Sequence, residues 1–271
     1  MPMIYDIRSA ECAQRTLSDL TGVPISIWER SLDREHEYEY TDDLVADVIE
    51  TYGSLPCTYR DFEYIYFHVT TSANKCASIQ KHGILDLKQA YSCKDSELRT
   101  FLENHGILIN LDEKTLIYKN KTFDITFYSG SRPRQDVVAE HCWLIGRKFY
   151  YDYTSCGFLS VWEGHPYDGQ VHRRPEILSN IDKLLKLHLS QEWALTHKPY
   201  EINAKVSGEN IVYDGDDEKS ERDKVIELLT TAYLTAFSEP SEKILLIKNH
   251  VQIPPSDIIE IKPLSHWNRL R

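Results

Sequence analysis

No stretch of this sequence stays apolar for anything near the roughly 18 residues of a membrane span, so no membrane partner is expected. The opening Met1-Pro2-Met3-Ile4-Tyr5-Asp6-Ile7-Arg8 is too polar for a secretory signal, which predicts a cytoplasmic location. The six cysteines, Cys12, Cys57, Cys76, Cys93, Cys142 and Cys156, contain no CxxC pair and no dense framework. That argues against a disulfide scaffold and against a zinc site, so no metal ligands are expected, and for free thiols in a reducing compartment. Basic charge is also short: 31 Lys and Arg face 42 Asp and Glu, a net charge of −11. A protein that grips duplex nucleic acid by its backbone needs a basic face, which the chain as a whole does not supply. The short clusters Arg132-Pro133-Arg134, Arg147-Lys148, His172-Arg173-Arg174 and the tail from His266 to Arg271 read singly as solvated charges. A glycine-rich phosphate loop, an internal repeat and a low-complexity tract are missing too.

What is present is ordinary globular composition. The chain has 271 residues, 41% hydrophobic and 27% charged, with room for one large or two small domains. The first sixty residues read as helical, with segments around Ala10 to Leu20, Ile25 to Leu32 and Asp42 to Tyr52, stopped by Gly22, Pro24, Gly53 and Pro56. A strand follows at Tyr64 to Thr70, then a short helix closed by Gly83 and a helix from about Lys94 to Asn104. Strands are predicted at Ile107 to Leu111, Thr115 to Tyr118 and Phe123 to Tyr128, and again near residues 142 to 153 and 157 to 162. Pro175 opens a helix with the apolar stripe Ile177, Leu178, Ile181, Leu184, Leu185 and Leu189. After it come a strand from Tyr200 to Val206, an acidic loop at Asp214 to Glu218, a helix from Glu221 to Phe237, a strand at Glu242 to Lys248 and the segment Ile253 to Ile261. Strands and helices mixed without regular alternation predict an α+β fold.

The most informative stretch is Tyr64-Ile65-Tyr66-Phe67-His68-Val69-Thr70 with Ile79, Gly83 and Ile84 after it. Alternation puts Tyr64, Tyr66, His68 and Thr70 on one face and Ile65, Phe67 and Val69 on the other, so the first face reads as a polar ledge and the second as core. This strand, turn and helix resembles the opening motif of ADP-ribosyltransferases, a His-x-Thr strand followed by a helix of the form IxxxGI. The order of later segments resembles the same family: Gly157-Phe158-Leu159-Ser160 for a GxYF strand, Ile202 to Val206 with Ile211, and Glu242 leading into Ile253-Pro254-Pro255 and Ile258. The chain is thus similar to stand-alone bacterial ADP-ribosyltransferase toxins of the His-Tyr-Glu type.

That resemblance implies a split β-sheet core over residues 61–271 with residues 1–60 as a helical appendage. It implies NAD as the cosubstrate, a macromolecular acceptor that is either nucleic acid or protein, and a neutralising antitoxin partner. It assigns His68, Glu242 and a middle aromatic to catalysis. His68, Thr70, Tyr66, Tyr153, Phe158 and Ser160 would hold NAD. The chemistry fits the residue types, because breaking the nicotinamide–ribose bond builds positive charge on the ribose carbon and a fixed carboxylate stabilises it. Phe158 stands where the family has tyrosine, so Tyr151 and Tyr153, which share a face on a strand, compete for the middle position. Glu192, in Ser190-Gln191-Glu192-Trp193, competes with Glu242.

Two other readings remain open on the sequence. His141-Cys142-Trp143-Leu144 through Tyr151-Asp152 resembles the His and Asp strands of transglutaminase-like and papain-like cysteine enzymes, with Cys76 or Cys93 as the nucleophile. Alternatively, the chain is a non-catalytic interaction protein on the same scaffold.

Overall fold

Residues 3–126, 130–152, 154–167, 170–215, 218–238 and 240–264 are described by the computed structural model. In chain order they form β1 (Met3–Asp6), α1 (Ala10–Thr21), α2 (Ile25–Ser31), α3 (Thr41–Tyr52) and β2 (Phe62–Ser72). Next come α4 (Ala77–His82), α5 (Leu87–Ser92), α6 (Glu97–Asn104), β3 (Ile107–Asn110), β4 (Thr115–Tyr118) and β5 (Lys121–Asp124). The remainder is α7 (Val137–Tyr150), β6 (Cys156–Ser160), α8 (Glu176–Leu185), α9 (Leu189–Thr196), β7 (Lys198–Ser207), β8 (Ile211–Val212), α10 (Glu221–Phe237), β9 (Lys243–Ile247) and β10 (Ile258–Pro263). The fold is α+β. Among the described residues no helix is long and apolar enough to cross a membrane. All six cysteines are free thiols.

The chain forms two compact units, and β2 and β7 run through both. The first unit comprises residues 1–68, 156–165 and 203–247. Its sheet has the order β7-β2-β6-β9-β8, with β1 parallel to β2 in the register Met3↔Phe62 to Asp6↔Ile65. The first sixty residues are therefore not an appendage. β1 joins the sheet, and α1 and α3 pack with α10, which follows some 170 residues later. Tyr5 shows the tie: its ring stacks on Phe62 at 5.9 Å, and its hydroxyl donates to the Leu228 carbonyl at 2.8 Å. Both ends of α1 behave as their residues dictate, since Ser9 accepts from the Cys12 N–H and Gly22 closes the helix at φ +73°.

The second unit comprises residues 69–155, 166–202 and 248–271. Its core joins Tyr91, Leu102, Ile107, Leu116, Ile145, Phe149, Ile181 and Trp193. Within it β3, β4 and β5 form an antiparallel meander, and β10 pairs with β7. The turn between β4 and β5 is Lys119-Asn120, both at positive φ, as a two-residue hairpin demands, and β5 starts at Lys121 rather than Phe123. The helix after β2 starts at Ala77, five residues past Ser72. The Ser72 hydroxyl accepts from the Asn74 and Cys76 N–H groups, and the Glu97 carboxylate accepts from Ala73 and Asn74, so that segment is already satisfied without helical bonds.

One expected strand is a helix. Residues 137–150 form α7, capped by Asp136, whose carboxylate accepts from the Val138 and Ala139 N–H groups. Cys142, Ile145, Gly146 and Phe149 are buried at three- and four-residue spacing, so the helical period outweighs the aromatic and β-branched content of the segment.

A close approach explains Gly157. A Cβ there would lie 2.3 Å from Tyr66 Cδ2 and 2.7 Å from the Phe67 carbonyl oxygen. Gly157→Ala is therefore expected to lower stability by about 3 kcal/mol, read as a shift of the urea midpoint with unchanged slope.

Candidate functional site

The site is built on β6, the central strand between β2 and β9. Phe67 lies opposite Phe158, and Phe158 lies opposite Ile244, so these three side chains share one face of the sheet. The Phe67 and Phe158 rings stack at 5.4 Å. Beyond Phe158 the register shifts and Ser160 comes opposite Lys243. The buried Ser160 hydroxyl donates to the Ser241 carbonyl at 2.8 Å, fixing the backbone directly before Glu242.

The chain leaves β6 through a β-turn, Trp162-Glu163-Gly164-His165, closed by the His165 N–H on the Trp162 carbonyl at 3.2 Å. Gly164 holds φ +82°, a conformation that a residue with a Cβ adopts only at a cost. The turn folds His165 inward until it is 3% exposed, edge-on to Trp162 at 4.3 Å and to Phe158 at 5.9 Å. Its Nε2 makes a short contact to Glu242 Oε2. Glu242 Oε1 takes no hydrogen bond from any described residue, and the side chain is 24% exposed. One carboxylate oxygen is thus held and the other is open. Trp162, edge-on to the same His165, is 42% exposed. Such an arrangement can accept a hydrogen bond from a sugar hydroxyl, face a developing positive charge, and offer a flat ring a stacking surface.

His68 sits elsewhere. Alternation places it on the face opposite Phe67, level with Gly157, whereas Glu242 lies one residue before the partner of Ser160. Two strand spacings and four residues along the strands put their backbones about 16 Å apart. The His68 ring is half-buried and its Nδ1–H donates to the Cys156 carbonyl at 2.8 Å. Burial lowers its pKa and the backbone bond raises it by less, so the ring is neutral with Nε2 as an acceptor. Thr70, further along β2, is half-buried in the second unit.

The other expected residues fall as follows. Tyr66 is fully buried over Gly157, which makes it core and not ledge: both faces of β2 are covered from Tyr64 to Phe67. Phe158 and Ser160 belong to the Glu242 site, Ser160 as a backbone clamp. Tyr151 is not on a strand; it caps α7 in the second unit, 63% exposed, with the Arg147 guanidinium 5.3 Å from its ring centre. Tyr153 lies outside the described residues, as do residues 127–128 of the third expected strand of the meander, residues 216–217 of the acidic loop and the basic tail from His266. Glu192 is on α9, where Oε2 pairs with His105 Nε2 at 2.8 Å. Sequence reasoning passed over Trp162 and His165. The one available signal was a glycine between an aromatic residue and a histidine just past a strand.

The cysteine reading loses its parts. His141 and Asp152 are eleven positions apart on and just past α7, about 16 Å along the axis. The Nδ1 of His141 is buried without a partner, and Asp152 accepts instead from Lys148 Nζ at 2.6 Å. Cys76 caps α4, but burial pushes its thiol up to about 12. The Cys93 thiol donates to Asp95 at 2.9 Å, which raises its pKa as well.

No family model matches the chain, and no curated protein or solved structure matches it either.

Proposed function

We propose that the chain is an NAD-dependent ADP-ribosyltransferase whose chemistry is centred on Glu242. The observation that carries this reading is the carboxylate itself, with one oxygen clamped by buried His165 and the other open, and with an exposed indole packed edge-on to that same histidine. Strand order supports it: the His-x-Thr strand, the Gly-Phe-Leu-Ser strand and the glutamate strand lie side by side as β2, β6 and β9. In this reading the open oxygen of Glu242 accepts the hydroxyl of the nicotinamide ribose and stabilises positive charge as the glycosidic bond lengthens. Trp162 supports the departing ring, and His165 is a positioning residue that keeps the carboxylate in one rotamer. The acceptor is a macromolecule, nucleic acid or protein. A chain that modifies macromolecules in its own host requires a neutralising partner.

The test is transfer of label from NAD radiolabelled in its adenylate phosphate to macromolecules of a bacterial lysate. Label should enter high-mass material with matching nicotinamide release, and its sensitivity to nuclease or to protease names the acceptor class. No incorporation above that of the Glu242→Gln variant contradicts the reading.

Two variants separate this account from its competitors. His68→Ala is expected to lower nicotinamide release less than about tenfold, the worth of one lost hydrogen bond near the sheet, because His68 and Glu242 are too far apart to share a ribose. A loss as large as that of Glu242→Gln would move the centre to His68. The double variant Cys76→Ser with Cys93→Ser is expected to keep full release, since this transfer uses no thiolate. Inactivation of the folded double variant would restore the cysteine reading.

A further inference from the structure

In the second unit, three donor atoms of different chemistry meet outside the Glu242 site. His82 Nε2 lies 2.9 Å from Asp95 Oδ1, and Cys93 Sγ lies 2.9 Å from the same oxygen. All three ligand atoms fall within 4.8 Å of one another. Around a tetrahedral zinc ion, with bonds of about 2.0 to 2.3 Å, neighbouring ligand atoms sit about 3.5 Å apart, so small side-chain movements admit an ion.

The backbone that presents these donors is fixed at helix ends. His82 is the last residue of α4, which Gly83 closes at φ +81° with its N–H on the Ile79 carbonyl. The next residue, Ile84, exchanges 3.0 Å hydrogen bonds with Ile253. Gly83 has no space for a side chain, since a Cβ would stand 1.9 Å from the Ile253 carbonyl oxygen. Cys93 caps α5 through its N–H on the Gln89 carbonyl at 3.1 Å, and its own carbonyl accepts from Ser96 at 3.2 Å. Asp95 is thereby held inside a tight turn before α6, which Ser96 caps.

We propose that His82, Cys93 and Asp95 form a three-ligand binding site for a divalent ion of the zinc class. Imidazole, thiolate and one carboxylate suit zinc and its borderline-soft neighbours. A hard ion such as calcium or magnesium would want more oxygen donors than this single carboxylate. Lys81 Nζ holds the second oxygen of Asp95 at 2.6 Å, the outer-shell contact that orients a carboxylate ligand. The side chains of His82 and Asp95 are 28% and 44% exposed, so an ion can enter and a water can complete its coordination. The bland alternative is a surface ion-pair cluster of Lys81, His82 and Asp95. It gives no role to the thiol directed at the same carboxylate oxygen.

The experiment titrates the chelator-stripped full chain with cobalt(II), then displaces cobalt with zinc, alongside Cys93→Ala, Asp95→Asn and the control Cys57→Ala, which removes an exposed thiol elsewhere. The wild type and the control should take one equivalent with a thiolate-to-cobalt charge-transfer band that zinc abolishes. Cys93→Ala should lose the band, and both site variants should bind cobalt more than about a hundredfold more weakly, beyond the effect of an outer-shell change. Circular dichroism of the metal-free proteins checks that all are folded. Absence of stoichiometric binding by the wild type overturns the proposal. So does a band or an affinity that survives either Cys93→Ala or Asp95→Asn.

Discussion

Glu242→Gln should retain NAD binding and lose between about a hundredfold and a thousandfold of its turnover, which corresponds to about 2.7 to 4 kcal/mol of transition-state stabilisation. The amide has nearly the shape of the carboxylate, and with its oxygen on the His165 donor its N–H can still donate to a ribose hydroxyl oxygen. What it lacks is the negative charge that opposes the charge growing on the ribose carbon, an interaction made mainly in the transition state. The loss should therefore fall on kcat, with KM little changed. Nicotinamide release measured over a range of NAD concentrations separates the two constants. A rise in KM at constant kcat would make Glu242 a binding group only.

His165→Ala should cost about a hundredfold, because a reacting group displaced by an ångström loses that much. His165 touches Glu242 Oε2 and packs edge-on to Trp162 and Phe158, so its removal frees the carboxylate and the indole together. The imidazole is 3% exposed, and its loss also leaves a void that lowers stability. Activity is therefore compared well below the unfolding transition of the variant. His165→Gln offers an amide N–H in place of the ring donor and should recover part of the loss. A purely structural role would show no such recovery in kcat once both variants are folded. Equal activity in His165→Ala and the wild type would remove the clamp from the account.

Much of the local structure could be read before the fold was known. The helix expected from Glu221 to Phe237 is α10, Pro175 marked the start of α8, and Gly22 and Gly83 marked helix ends at positive φ. The errors have definite physical origins. Segment 142–153 was rich in residues that favour strands, yet Cys142, Ile145 and Phe149 follow the helical period, and burial against the second unit's core settles the matter. β1 is four residues long and owes its existence to pairing with β2, which no local pattern reports. Residues 1–60 looked separate for the same reason, since α10, which covers α1 and α3, is far away in sequence.

The candidate site was half legible. Glu242, Phe158 and Ser160 were named from motif order, and they do meet around β6 and β9. The partner that holds Glu242 was not, because a turn between strands carries no periodicity and His165 acquires its meaning from a contact 77 positions away. His68 shows the opposite case. Its strand was recognised correctly, but how far along a sheet two side chains lie depends on register, and register places His68 level with Gly157, about four residues along the strands from Glu242.

The most direct test of the account is a crystal structure of the Glu242→Gln variant with NAD, in which slow turnover preserves the dinucleotide. The nicotinamide ribose should lie within hydrogen-bond distance of the side chain at 242, with the nicotinamide ring against Trp162. NAD seated at His68, with nothing near residue 242, would contradict it.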